Sequence, residues 1–95
     1  MRAYEVMTIH RPDLSEDQVA SLVDQVGQYL SERGATVTNA DRWGKRRFAY
    51  DIKHFSEGFY SVVSFQAEPS AVEELDRMLA LADEVVRHKI VRPVT

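Results

Sequence analysis

The chain has 95 residues, 44% apolar and 28% charged, with a net charge of −3 at neutral pH. This balance excludes a disordered or fibrous chain and suits a soluble globular protein, read as a single domain over residues 1–95. The absence of cysteine excludes disulfides and thiolate metal sites. No apolar run is long enough for a signal peptide or a membrane helix, so a cytoplasmic protein with no membrane partner is expected.

The first strand spans Arg2 to Ile9, or His10. It places Tyr4, Val6 and Thr8 on one face and Ala3, Met7 and Ile9 on the other. Neither face is strongly polar, which predicts a central strand. Arg11-Pro12-Asp13 breaks it. A helix is predicted over Glu16 to Arg33. Ser15 and Gln18 have capping-box spacing, and Leu14 and Val19 are placed for a hydrophobic staple. Val19, Leu22, Val23, Val26 and Leu30 form one apolar stripe, and Gly34 stands at the left-handed stop.

A second strand is predicted from about Ala35 to Lys53. Its stretch from Arg42 to Lys53, RWGKRRFAYDIK, holds the only Trp and four cations within six residues. Phe48, Tyr50 and Ile52 share one parity, the period-2 pattern of a strand with one buried face. Val37 and Trp43 take the opposite parity. A strand that keeps one face in the core needs an extra residue to change parity, so a bulge or bend is expected at Gly44. It would present Lys45, Arg46 and Arg47 as an exposed basic rim.

His54 to Gly58 reads as a turn, and Phe59 to Ala67 as a third strand with Phe59, Val63, Phe65 and Ala67 on one face. Pro69 ends it. Ser70 and Glu73 repeat the capping-box spacing ahead of a second helix, whose inner face is expected to carry Val72, Leu75, Met78, Leu79 and Ala82. Asp83-Glu84 connects to a last strand, Val85 to Val91.

The order β-α-β-β-α-β, with right-handed crossovers, predicts an α+β ferredoxin-like sandwich: an antiparallel four-stranded sheet with two helices on one face. The stretches Asp13–Arg33 and Glu68–Glu84, which hold the helices, sum to −9, and the remainder sums to +6. The molecule is therefore polarised, with base on strands and loops. A basic stripe is an electrostatic footprint for nucleic acid, although the net negative charge argues against indiscriminate binding.

Enzymatic constellations are thin. His10, His54 and His88 have no ligand spacing, and His88 falls by parity with Val86 and Ile90 as a partly buried strand residue. No phosphate loop, nucleophile elbow or HExxH pattern occurs, and no cofactor is expected. The stacking motif of an RNA recognition motif is also poorly matched. Its counterpart, Glu57-Gly58-Phe59-Tyr60-Ser61-Val62-Val63-Ser64, departs at Glu57, Tyr60, Ser61 and Ser64, so contacts to phosphates and folded RNA fit better than base stacking on the sheet.

Arg2-Ala3-Tyr4-Glu5, Gly44 to Lys53 (GKRRFAYDIK), Gly58-Phe59-Tyr60 and Val86-Arg87-His88-Lys89-Ile90 together resemble the bacterial small-subunit ribosomal protein six family over essentially the whole chain. Phe48 departs from the family's usual leucine, a change of volume and not of chemistry. The resemblance implies a structural, non-catalytic component of the small ribosomal subunit. It also implies binding to the central domain of small-subunit ribosomal RNA in a heterodimer with small-subunit ribosomal protein eighteen. Carried over position by position, the RNA-facing residues are Arg2, Arg46, Arg47, Lys53, Arg87, Lys89 and Arg92. The alternatives are a non-ribosomal homo-oligomer packed through Met7, Ile9, Tyr60 and Val62 of the open sheet face, or a small-molecule-binding domain of the same fold.

Overall fold

The sequence folds as β1 (Arg2–His10), α1 (Glu16–Glu32), β2 (Thr36–Ile52), β3 (Phe55–Ala67), α2 (Pro69–Leu81) and β4 (Val85–Val91). In the computed structural model, which describes residues 1–93, the strands form one sheet in the order β2-β3-β1-β4. Every neighbouring pair is antiparallel. Both helices cover one face, giving the ferredoxin-like sandwich expected from the element order. Strand β1 is central, as its two apolar faces predict, and β2 and β4 are the edges.

Helix α1 is set by its ends. Ser15 Oγ accepts from Gln18 N–H at 3.1 Å, and Gln18 Oε1 accepts from Ser15 N–H at 2.8 Å. This reciprocal box satisfies two otherwise orphaned donors. At the other end Gly34 adopts φ 80°. There Gly34 N–H donates to Ser31 O at 3.1 Å and Ala35 N–H to Leu30 O at 3.0 Å, the two bonds of a Schellman stop.

Helix α2 begins differently from the sequence expectation. Glu68 is its N-cap and Pro69 its first residue, with no side-chain capping bond. Proline's fixed φ and missing N–H suit that position. Ser70 therefore lies inside the first turn, where its spacing to Glu73 has no capping role. The buried positions are Ala71, Leu75 and Leu79. Val72 and Met78 flank them, and Ala82 is the C-cap beyond the helix.

Between helices and sheet lies the core, with Val6 and Tyr4 of β1 and Phe59, Val63, Phe65 and Ala67 of β3 at its centre. Two polar cross-strand partners, Thr8 and Ser61, are buried there and satisfy each other through a 2.6 Å hydroxyl–hydroxyl hydrogen bond. His88 faces the helix side of β4 as its parity predicts. Its Nε2 donates to Asp76 Oδ1 of α2 at 2.7 Å and ties the edge strand to the helix.

Strand β2 departs most from the prediction. It pairs only with β3, and its register slips three times. Thr38 and Trp43 are single extra residues, while Phe48–Asp51 lie opposite the lone Ser56. Gly44, at φ 85°, follows the second slip, so the bend expected there is present. The reason given for it needs correction. The slip at Thr38 has already changed the parity, and the bulge at Trp43 keeps aromatics on the open sheet face instead of keeping apolar residues in the core. Trp43 stacks on Tyr60 (6.4 Å, 5° between planes), and Phe48 meets the same ring edge-on at 6.0 Å. Tyr50, expected on a buried face, is 76% exposed.

The expected turn over His54–Gly58 is shorter in the structure. Ile52 pairs with Phe55, leaving a two-residue loop of Lys53 (φ 49°) and His54 (φ 71°). Left-handed φ at both positions is what a type I′ hairpin turn requires. Ser56 to Gly58 belong to β3. Gly58 has a packing role: a Cβ there would stand 2.7 Å from Ile9 Cγ2 and 2.8 Å from His10 O. Its bare backbone lets Ile9 and Phe48 pack over the open face.

Candidate nucleic-acid interface

The seven cations singled out from sequence are all exposed. Among the described residues none of them is in an ion pair, whereas Arg11 and Arg33 are held by Asp13 and Glu74. All seven lie on strands or loops. Helices α1 and α2 carry carboxylates on their solvent side, at Glu16, Asp17, Asp24, Glu32, Glu73, Glu74 and Asp76.

The seven do not form one patch. Arg2 opposes Ala67 at one end of the sheet, and Arg92 follows β4 at that same end. Lys89 and Arg87 project from β4 at its pairings with Met7 and Ile9. Arg46 and Arg47 stand on β2 opposite Gly58 and Glu57, with Arg46 Nε donating to Trp43 O at 3.3 Å. Lys53 occupies the hairpin turn.

The two edges are nevertheless linked. Although β2 and β4 lie at opposite sides of the sheet, Ile52 and Lys53 line a cavity of about 490 Å³ together with Val85, Val86 and Arg87 of β4. Bulges bend a strand and increase its twist. The long slip at Phe48–Asp51 occurs where the hairpin turns toward the far edge.

The open sheet face offers a second kind of surface. Met7, Val62, Trp43 and Val91 line a cavity of about 310 Å³ with Glu5 and Lys89 at its rim. Trp43 is 50% exposed there. Ile9, expected in an open-face oligomer interface, is only 3% exposed because Phe48 and Ile9 close over Gly58. That removes it from any such interface.

Among the described residues no arrangement of titratable groups resembles a catalytic centre. His10 is, among those same described residues, the one titratable side chain clearly shifted by its surroundings. Burial pushes its pKa below the ordinary 6.5, and the Glu84 carboxylate opposes the shift. The ring is buried at the end of β1.

The geometry is thus a polarised sandwich with a bulged basic arm, and residues 3–92 match the family described as Ribosomal protein S6. The chain belongs to the ribosomal protein S6 family. It is 50% identical over 93 residues to small ribosomal subunit protein bS6 of Symbiobacterium thermophilum, covering 98% of both chains. It is 47% identical over 92 residues to the bS6 of Desulforamulus reducens, covering 97% of each. The crystal structure of 30S ribosomal protein S6 from Thermotoga maritima superposes with a TM-score of 0.91 at 33% identity, over 97% of this chain and 87% of that one. Family membership makes this a structural ribosomal protein, cytoplasmic and ribosome-associated, and not an enzyme.

Two features of this structure escaped the sequence reading. One is the Trp43–Tyr60 stack on the open face. The other is Lys45, which turns toward the helix side with its Nζ 5.1 Å from the centre of the Phe59 ring. Both follow from which β2 residues are extra, and only the pairing with β3 reveals that.

Proposed function

We propose that the chain is a structural component of the small ribosomal subunit that binds the central domain of its RNA as a heterodimer with small-subunit ribosomal protein eighteen. Arg2, Arg46, Arg47, Lys53, Arg87, Lys89 and Arg92 act on phosphates, and the open face around Trp43, Met7, Val62 and Val91 receives the protein partner. The observation that carries this reading is the set of seven exposed cations, all on strands or loops and, among the described residues, none in an ion pair. Phosphate contacts fix position and orientation, the task of a structural protein on folded RNA.

Seven dispersed cations on a chain of net charge −3 make a weak RNA ligand by themselves. A pre-formed pair presents more cations on pre-ordered surface and loses less freedom on binding. The test is affinity for central-domain RNA with and without protein eighteen. Tighter binding by the pair supports the reading, and equal affinity removes cooperative assembly from it.

A further inference from the structure

The cavity between the hairpin turn and β4 differs from the other surface hollows in its charge. Lys53 and Arg87 stand on its wall, and no carboxylate does. Each of the other four hollows described carries at least one, at Glu16, at Glu73 and Asp76, at Glu5, or at Asp83. The rest of its wall is apolar at Ile52, Leu79, Ala80, Val85 and Val86, with the His88 ring, bonded to Asp76, as its one further polar group. Its volume of about 490 Å³ falls within the roughly 300–1,000 Å³ typical of small-molecule sites.

The cations come from opposite edges of the sheet. Lys53 is brought there by a hairpin that is bulged by four residues against one and closed by two left-handed non-glycine residues. Glycine, asparagine and aspartate are the usual occupants of such a turn. The lysine and the histidine beside it are held in the left-handed region that non-glycine residues rarely adopt.

The geometry points to this notch as the seat of one unpaired nucleotide of the bound RNA, with its phosphate between Lys53 and Arg87 and its base against the apolar wall. An anion shared by two cations suits an unneutralised rim, and an unstacked base needs a non-polar surface to replace its lost neighbours. Duplex RNA would use the cations and leave the apolar wall uncovered. The notch assignment presupposes the RNA-binding role proposed above and adds where one nucleotide sits.

The test adds the full chain back to small subunits reconstituted without it. Lys53→Ala and Arg87→Ala should each weaken binding about tenfold, the scale of a charge-assisted hydrogen bond. The double variant should lose clearly less than the product of the two, because both cations serve one phosphate. Ala80→Glu places a carboxylate on the notch from an exposed helix position. It should weaken binding by a similar factor with unchanged thermal unfolding. Chemical probing should show one unpaired base protected by wild type and released by Ala80→Glu.

Independent, multiplicative losses for Lys53 and Arg87 overturn the shared site while leaving RNA binding intact. Weakened binding without a protected base makes the cations duplex contacts and overturns the nucleotide assignment. Failure of wild type itself to bind the depleted subunits overturns the functional reading and the notch with it.

Discussion

Strands β2 and β3 are hydrogen-bonded neighbours, yet none of the seventeen residues of β2 is buried, whereas six of the thirteen in β3 are. Strand β3 has neighbours on both sides and helices over one face, so its alternation directs Phe59, Ser61, Val63, Phe65 and Ala67 inward. Strand β2 is an edge that outruns the core. Its register slips repeatedly, and its side chains are exposed cations and aromatics. Adjacent strands thus serve different ends: one is kept by packing, and the other is free to be shaped by what it touches outside the molecule.

The comparison breaks most visibly through stability. On the core side, Leu75→Ala should cost about 2–5 kcal/mol, from lost transfer energy plus a cavity, because Leu75 is fully buried. Tyr50→Ser on the arm should stay within about 0.5 kcal/mol of wild type, as exposed sites do. Denaturant midpoints at constant m-value measure both. A comparable loss at Tyr50 would mean that the arm belongs to the core.

Gly58 joins the two regimes. In Gly58→Ala the new methyl must displace Ile9 and the backbone of His10, with Phe48 3.1 Å away. Overpacking of this kind costs about 1–3 kcal/mol. The Trp43–Tyr60–Phe48 cluster should loosen with it, read as a change in Trp43 fluorescence. Unchanged fluorescence and stability would show that the arm is not fastened through this glycine.

A smaller effect comes from His10, on the core side. Its folded pKa lies below the ordinary 6.5 because burial disfavours the charged ring, so below that pH the unfolded chain binds more protons than the folded one. Its contribution is therefore complete above about pH 6.5 and is lost as pH falls toward the depressed folded value. Unfolding free energy should drop as pH falls below about 6.5, and His10→Leu should flatten that slope. An equal slope in the variant would assign the acid sensitivity to carboxylates.

What was legible in the sequence follows the same division. The capping box at Ser15 and Gln18, the stop at Gly34, the apolar stripe of α1 and the bounds of β4 depend on residues a few positions apart, and they were read to within a residue. The start of α2 was misread because a capping-box spacing outweighed Pro69, although proline at the first helical position is the stronger local signal. Parity along β2 misled because period-2 reasoning holds only while pairing is regular. Which residues of β2 are left unpaired, at Thr38, Trp43 and Phe48–Asp51, is decided by the pairing with β3. That Lys53 and Arg87 line one hollow depends on the bend of the whole arm, and no local pattern encodes it.

The account rests on β2 being maintained for RNA and not for the core, and the Arg46→Ala/Arg47→Ala double variant tests this most directly. Its unfolding free energy and its RNA affinity, as the pair with protein eighteen, should be measured across a salt series. Stability should stay within about 0.5 kcal/mol of wild type, since both side chains are exposed and without an ion-pair partner. Each lost phosphate contact should make the slope of log K against log salt shallower by about 0.7–0.9. An unchanged slope, or a loss of stability with RNA affinity intact, would contradict the account.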